Sequence, residues 1–201
     1  MLMNVAVIGA DRPWGALLAT GLGAGFEVVA IGSEDARDFA GYRQVDLLQR
    51  ESVDPMLAGV EAVVYAAASD PIGDSEQVLL DVAARGTYVA LTAACAAGIE
   101  KVVLLSCLDL VRDYPEEYIV DPRWNAIPRA GAEALAPFMA ELVGREIART
   151  GQIEVRCLRL GAPGVETMAE DAVTAVRDAL IAEREGHHWS LSYVASSGRF
   201  A

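Results

Sequence analysis

The sequence is short of cations, and of lysine above all. Lys101 is the only lysine, and 16 lysine and arginine residues face 29 aspartates and glutamates for a formal net charge of −13. Binding a nucleic-acid backbone needs a basic footprint, so that class is excluded, and an anionic membrane surface is an equally poor partner. Histidine is scarce too. His187 and His188 are adjacent, no cysteine–histidine pair has metal-ligand spacing, and no metal site is expected. The three cysteines, Cys95, Cys107 and Cys157, stand far apart in apolar surroundings. An odd, scattered set excludes a disulfide framework and reads as reduced thiols of a cytoplasmic protein. No uninterrupted apolar stretch reaches the roughly 18–20 residues of a bilayer span, and the first residues lack a basic leader with a cleavage site. No membrane segment is expected.

What is present is apolar and small. The chain is 53% hydrophobic but only 6% aromatic, with alanine and valine prominent, which suits a parallel sheet covered on both faces by small-residue helices. The strongest signal is at the start. Asn4–Ile8 reads as a buried strand that turns at Gly9, and a helix follows over 13–24. Such a strand–turn–helix presents a helix N-terminus, with its N–H groups and partial positive charge, to a phosphate. Further strands are expected over 26–31, 42–47, 62–68, 101–105, 154–160 and 189–194. Helices are expected over 52–57, 75–97, 132–149 and 169–182, with Gly98 closing the second of these and Pro137 kinking the third or delaying its start. The polar stretch 34–41 reads as a short helix or loop, and 69–74 and 109–128 as loops. The alternation predicts an α/β fold with a doubly wound parallel sheet, in one domain over residues 1–201.

Several landmarks fall in one order. Gly9-Ala10-Asp11-Arg12-Pro13-Trp14-Gly15 keeps the outer glycines of G-x-x-G-x-x-G. Val45-Asp46-Leu47, Tyr65-Ala66-Ala67-Ala68, Leu105-Ser106-Cys107, Arg159-Leu160-Gly161 and Glu170-Asp171-Ala172-Val173 follow. The string resembles the short-chain dehydrogenase/reductase superfamily, in its extended or atypical branch of nucleotide-sugar epimerase/dehydratase relatives, over about residues 3–195. The resemblance implies a Rossmann fold and NAD or NADP as cofactor. It places Gly9, Asp11, Arg12, Pro13, Trp14 and Gly15 in the phosphate loop and Ser33 at the end of the second strand. It also sets Asp46 and Leu47 at the adenine, Ala66, Ala67 and Ala68 beneath the cofactor, and Ser106 at the serine-bearing strand end.

The chain departs from that family at three points. Arg12 replaces the middle glycine, which lets backbone approach a pyrophosphate closely. Asp11 is a good N-cap, but it would compete with phosphate for the same donors unless Arg12 pairs with it or with the phosphate. The alternative is that Asp11-Arg12-Pro13 merely caps the helix. Second, Gly32-Ser33 lacks the NAD-type acid. Ser33 with Arg37 suits a 2′-phosphate, and an ordinary turn suits the same residues, so NAD and NADP are not distinguished. Third, the Tyr-x-x-x-Lys pair is gone. No tyrosine has a basic residue four positions on, and counting back from Arg159 puts Glu133 and Pro137 where that pair should stand.

Candidates for residual chemistry are Ser106, Cys107, Asp109, Tyr114 and Tyr118. Cys107 reads equally as a small buried hydrophobe, and the tyrosines as packing residues. Leu135, Phe138, Met139, Leu142 and Val143 have i, i+3, i+4, i+7 spacing. That pattern suits packing on the sheet, or the helix face that family members often bury in a homodimer. About 40 residues follow the sixth strand, so the substrate lobe expected of the family is reduced. Three readings result: a nucleotide-binding or sensor-like pseudoenzyme, for which NmrA-type redox sensors are a precedent; a reductase, epimerase or dehydratase acting on a small molecule through loop residues; and a scaffold without nucleotide.

Overall fold

The computed structural model describes residues 2–34, 41–69, 75–183, 186 and 188–201. Seven strands form one parallel sheet: β1 (Met3–Ile8), β2 (Phe26–Gly32), β3 (Arg43–Gln44), β4 (Ala62–Tyr65), β5 (Lys101–Cys107), β6 (Glu154–Leu160) and β7 (Trp189–Val194). Their order is β3-β2-β1-β4-β5-β6-β7, and the register runs through Val5↔Val28, Val5↔Ala62 and Ala62↔Lys101. The order reverses between β1 and β4, so a ligand crevice is expected beyond the C-terminal ends of these strands.

Strand side chains alternate between two core layers. Ala6, Ile8, Val63, Tyr65, Val102 and Leu104 pack on one side; Val5, Val7, Ala62, Val64, Val103 and Leu105 pack on the other. The first layer lies under α2 (Arg50–Val53), α3 (Glu76–Asp81), α4 (Thr87–Ala96) and α5 (Ala132–Ala148); the second under α1 (Pro13–Gly21) and α6 (Ala169–Ile181). A π-helical turn, Val82–Gly86, joins α3 to α4. The buried Tyr65 hydroxyl donates to the Val82 carbonyl (3.0 Å) at that turn. Gly86 is what makes room, since a Cβ there would lie 3.1 Å from the Tyr65 oxygen. Among the described residues, Glu76–Ala96 is the one helix long and apolar enough to cross a membrane, but 56% of its apolar window is buried inside this fold.

Several boundaries differ from the sequence reading. The strand expected over 62–68 ends at Tyr65, because Ala66 turns and its carbonyl accepts from both the amide and the hydroxyl of Ser69. The strand expected over 42–47 shrinks to Arg43–Gln44, and the first helix stops at Gly21. Strand β5 runs two residues further, to Cys107. Helix α5 starts on time and passes through Pro137. Most of 34–41, residues 70–74 and His187 lie outside the described residues.

The α5 periodicity is real but its phase is different. Ala136, Ala140, Gly144 and Ala148 face the sheet, while Leu135, Phe138, Met139, Leu142 and Val143 are only half-buried. A Cβ on Gly144 would lie 2.9 Å from a Leu104 methyl, so the helix sits too close to the sheet for large side chains.

Candidate functional site

The turn between β1 and α1 is built by its two retained glycines. Gly9 has φ +91°, and a Cβ there would lie 2.5 Å from the Ala67 nitrogen. A Cβ on Gly15 would strike the Gly9 carbonyl group, within 2.5 Å of its carbon. The amides of Gly9 and Ala10 both donate to the Ile31 carbonyl, at 2.8 and 2.9 Å, which locks the turn to the end of β2. Arg12 needs no glycine freedom, having φ −104° and ψ 155°.

The expected competition at the helix end does not occur. Arg12, not Asp11, is the N-cap residue, and no side chain caps α1; Pro13 occupies its first turn. The Arg12 side chain is only 8% exposed and lies 3.8 Å from the Glu34 carboxylate, so it turns to the end of β2. Asp11 turns the same way. Its Oδ2 accepts from the Ser33 amide (2.9 Å), the Ser33 hydroxyl (3.1 Å) and the Glu34 amide (2.9 Å). The helix N-terminus is therefore left to any phosphate that enters, with the charge polarity that phosphate requires.

Beside it opens a crevice of about 600 Å³ over the ends of β4, β5 and β6. Trp14, Ser69, Cys107 and residues 160–163 line it, and among the described residues Glu76, Asp109, Arg129 and Glu133 are its charged groups. Trp14 both lines the crevice and is buried in the α1 layer. The Cys107 thiol is pushed up to about 12, first by burial and then by the Asp109 carboxylate, so it stays protonated and serves as no base or nucleophile near neutral pH.

The other candidates are placed as follows. Ser106 is buried and its hydroxyl donates to Glu141 Oε1 (2.6 Å); Glu141 in turn takes the Arg159 guanidinium. Sequence reading missed Glu141, whose partners come from two strands remote in the chain. Tyr114 and Tyr118 do not line the crevice: both pack on Trp124, with ring centroids 4.8 and 5.8 Å away, and the Tyr114 hydroxyl donates to the Asn125 carbonyl (3.0 Å). As proton donors at this crevice they are corrected to packing residues, because the aromatic cluster holds them away from it. Asp46 is exposed and accepts from the Leu48 amide (2.9 Å), whereas Leu47 is buried in the core. Ala66, Ala67 and Ala68 are buried beside the turn, and Arg37 lies outside the described residues.

The single lysine is removed from any chemistry here. Lys101 opens β5, six residues and about 20 Å of strand from Cys107. Its ammonium donates to the carbonyls of Leu180 (2.7 Å) and Ala182 (2.8 Å) and so closes the C-terminus of α6.

Residues 31–125 match the 3-beta hydroxysteroid dehydrogenase/isomerase family. No curated protein matches the sequence. Solved structures of similar fold include a uronate dehydrogenase mutant from Agrobacterium tumefaciens complexed with NAD, with TM-score 0.83 and 19% identity over 98% of this chain and 78% of that one. A UDP-N-acetylglucosamine 4-epimerase from Bacillus cereus has TM-score 0.78 and 18% identity over 97% and 78%. A short-chain dehydrogenase/reductase superfamily protein from A. tumefaciens with bound NAD has TM-score 0.68 and 20% identity over 80% and 49%. At these identities the likeness is one of fold. The family match and the sheet order bear out the resemblance to the short-chain dehydrogenase/reductase superfamily and the doubly wound architecture.

Proposed function

We propose that this chain binds a nicotinamide dinucleotide across the β1–α1 turn and the adjoining crevice, and that it lacks the family's tyrosine–lysine proton transfer. The observation that carries the reading is the α1 N-terminus: tightly turned on Gly9 and Gly15, without a side-chain cap, and opening on the crevice. The dinucleotides bound in the uronate dehydrogenase mutant and in the short-chain dehydrogenase/reductase relative support the ligand class.

When bound, such a cofactor supplies a hydride donor or acceptor. The chain's own residues hold it: the α1 N-terminus at the pyrophosphate, Asp46 at the adenine by the resemblance, and the small backbone at Ala66–Ala68 beneath it. What they do not supply is a phenol beside a lysine. Glu133 stands in the crevice where counting places the tyrosine, and Lys101 is at the opposite end of the strands. A cytoplasmic nucleotide-responsive protein, in place of a dehydrogenase of the usual mechanism, accounts for both facts.

Calorimetric titration of nucleotide-stripped protein with NAD⁺, NADH, NADP⁺ and NADPH tests the reading. Micromolar binding of at least one form is expected, with Asp46→Ala weakening it. Absence of binding to all four would leave a scaffold and direct attention to protein partners.

A further inference from the structure

The end of β2 holds an acid brought from another strand's turn. Gly32-Ser33 has no carboxylate of its own at the strand terminus, yet the Asp11 carboxylate fills that place from the turn after β1. The space it fills is the one a side chain on Gly32 would take, since a Cβ there would lie 2.5 Å from Asp11 Cγ. The donors that a 2′-phosphate would need are spent on the same carboxylate: the Ser33 amide, the Ser33 hydroxyl and the Glu34 amide all bond Asp11 Oδ2. Its other oxygen, Oδ1, is buried without a hydrogen-bond partner. Arg12 is the one cation among the described residues at this place, and Glu34 Oε1 lies 3.8 Å from its guanidinium. The local balance of Asp11, Glu34 and Arg12 is one negative charge.

In a doubly wound fold the adenosine ribose lies at the end of the second strand. An acid there suits a free 2′-hydroxyl, while a 2′-phosphate calls for a cation. Resting on the dinucleotide reading above, we propose that Asp11, reaching across from the glycine turn, makes this protein select a dinucleotide with a free 2′-hydroxyl, NAD(H), over its 2′-phosphorylated counterpart. The acid has moved from the second strand to the first turn, and Gly32 is the vacancy that lets it in. Ser33, which by sequence suits a 2′-phosphate, is the residue that anchors the carboxylate excluding it.

The test compares affinities, with no turnover required. NAD⁺ and NADP⁺ are titrated calorimetrically into the stripped protein, and 5′-ADP and 2′,5′-ADP, which report the adenosine end alone, are titrated beside them. The unphosphorylated member of each pair is expected to bind at least about tenfold tighter, because two like charges in this partly buried place repel strongly. Asp11→Asn, nearly isosteric, and Asp11→Ser are expected to narrow that ratio mainly by strengthening the 2′-phosphorylated ligands. Equal or tighter binding of NADP⁺ by the wild-type protein overturns the inference and leaves dinucleotide binding standing. So does a ratio unchanged in a folded variant. Failure of every nucleotide to bind overturns the dinucleotide reading itself, and this inference with it. Should either variant fail to fold, the wild-type ratios alone decide.

Discussion

The Glu141 carboxylate receives both prongs of the Arg159 guanidinium, each at 2.7 Å, in a place where the arginine is 2% exposed and the glutamate 6%. The pair ties α5 to β6, and Ser106 adds β5 through its hydrogen bond to the same carboxylate. Removing one member strands a buried charge. Glu141→Ala is therefore expected to lower the unfolding free energy by about 3–5 kcal/mol, read from urea denaturation. Ser106→Ala is expected to cost about 1–3 kcal/mol with little change in nucleotide affinity. A large affinity loss without destabilisation would return Ser106 to the cofactor contacts that its strand-end position suggested.

Lys101 gives a contrasting outcome. Its bonds to the Leu180 and Ala182 carbonyls act at the N-terminal ends of the strands, away from the crevice. Lys101→Met is expected to lose about 1.5–3 kcal/mol of stability, the range for hydrogen bonds to a charged group, while nucleotide affinity stays within error. Melting and calorimetry on the same sample separate the two effects.

Thiol chemistry provides a third test. Burial raises all three cysteines, and Asp109 adds to the effect at Cys107, which reaches about 12. Since the thiolate is the reactive form, iodoacetamide at pH 8 should label the native protein slowly and the urea-unfolded protein at all three cysteines. Fast native labelling of Cys107, mapped by mass spectrometry, would restore it as a candidate nucleophile.

Acid should weaken the tie between the segments that follow β5 and β6. Arg112 binds Glu166 through two bonds, 2.9 and 2.6 Å, joining the segment after β5 to the segment after β6. Hydrogen bonding to Arg112 holds the Glu166 carboxyl below its ordinary 4.5. A carboxyl lower in the folded than in the unfolded chain contributes stability that is full above the unfolded value and is lost as pH falls through the folded one. The melting temperature should therefore decline below about pH 4.5. Glu166→Gln should flatten that part of the decline and lower the plateau near neutrality.

Sequence alone determined the architecture. Runs of β-branched and aliphatic residues at β1, β4, β5 and β6, separated by small-residue helices, admit one economical packing, a parallel sheet covered on both faces, and the glycine spacing marked the tight turn between β1 and α1. The absence of a tyrosine–lysine pair was equally plain, because a missing lysine needs no coordinates. Side-chain direction was not legible. Whether Asp11 capped its own helix or crossed to Ser33 depended on the empty volume at Gly32, 21 residues away, and α5's phase depended on how closely Gly144 approaches Leu104. Tyr114 and Tyr118 were drawn off the crevice by Trp124, and Ser106 was claimed by Glu141, 35 residues on. Periodicity and spacing are local and survive in one dimension; the choice among competing partners for a polar group is made by three-dimensional proximity, which only the fold supplies.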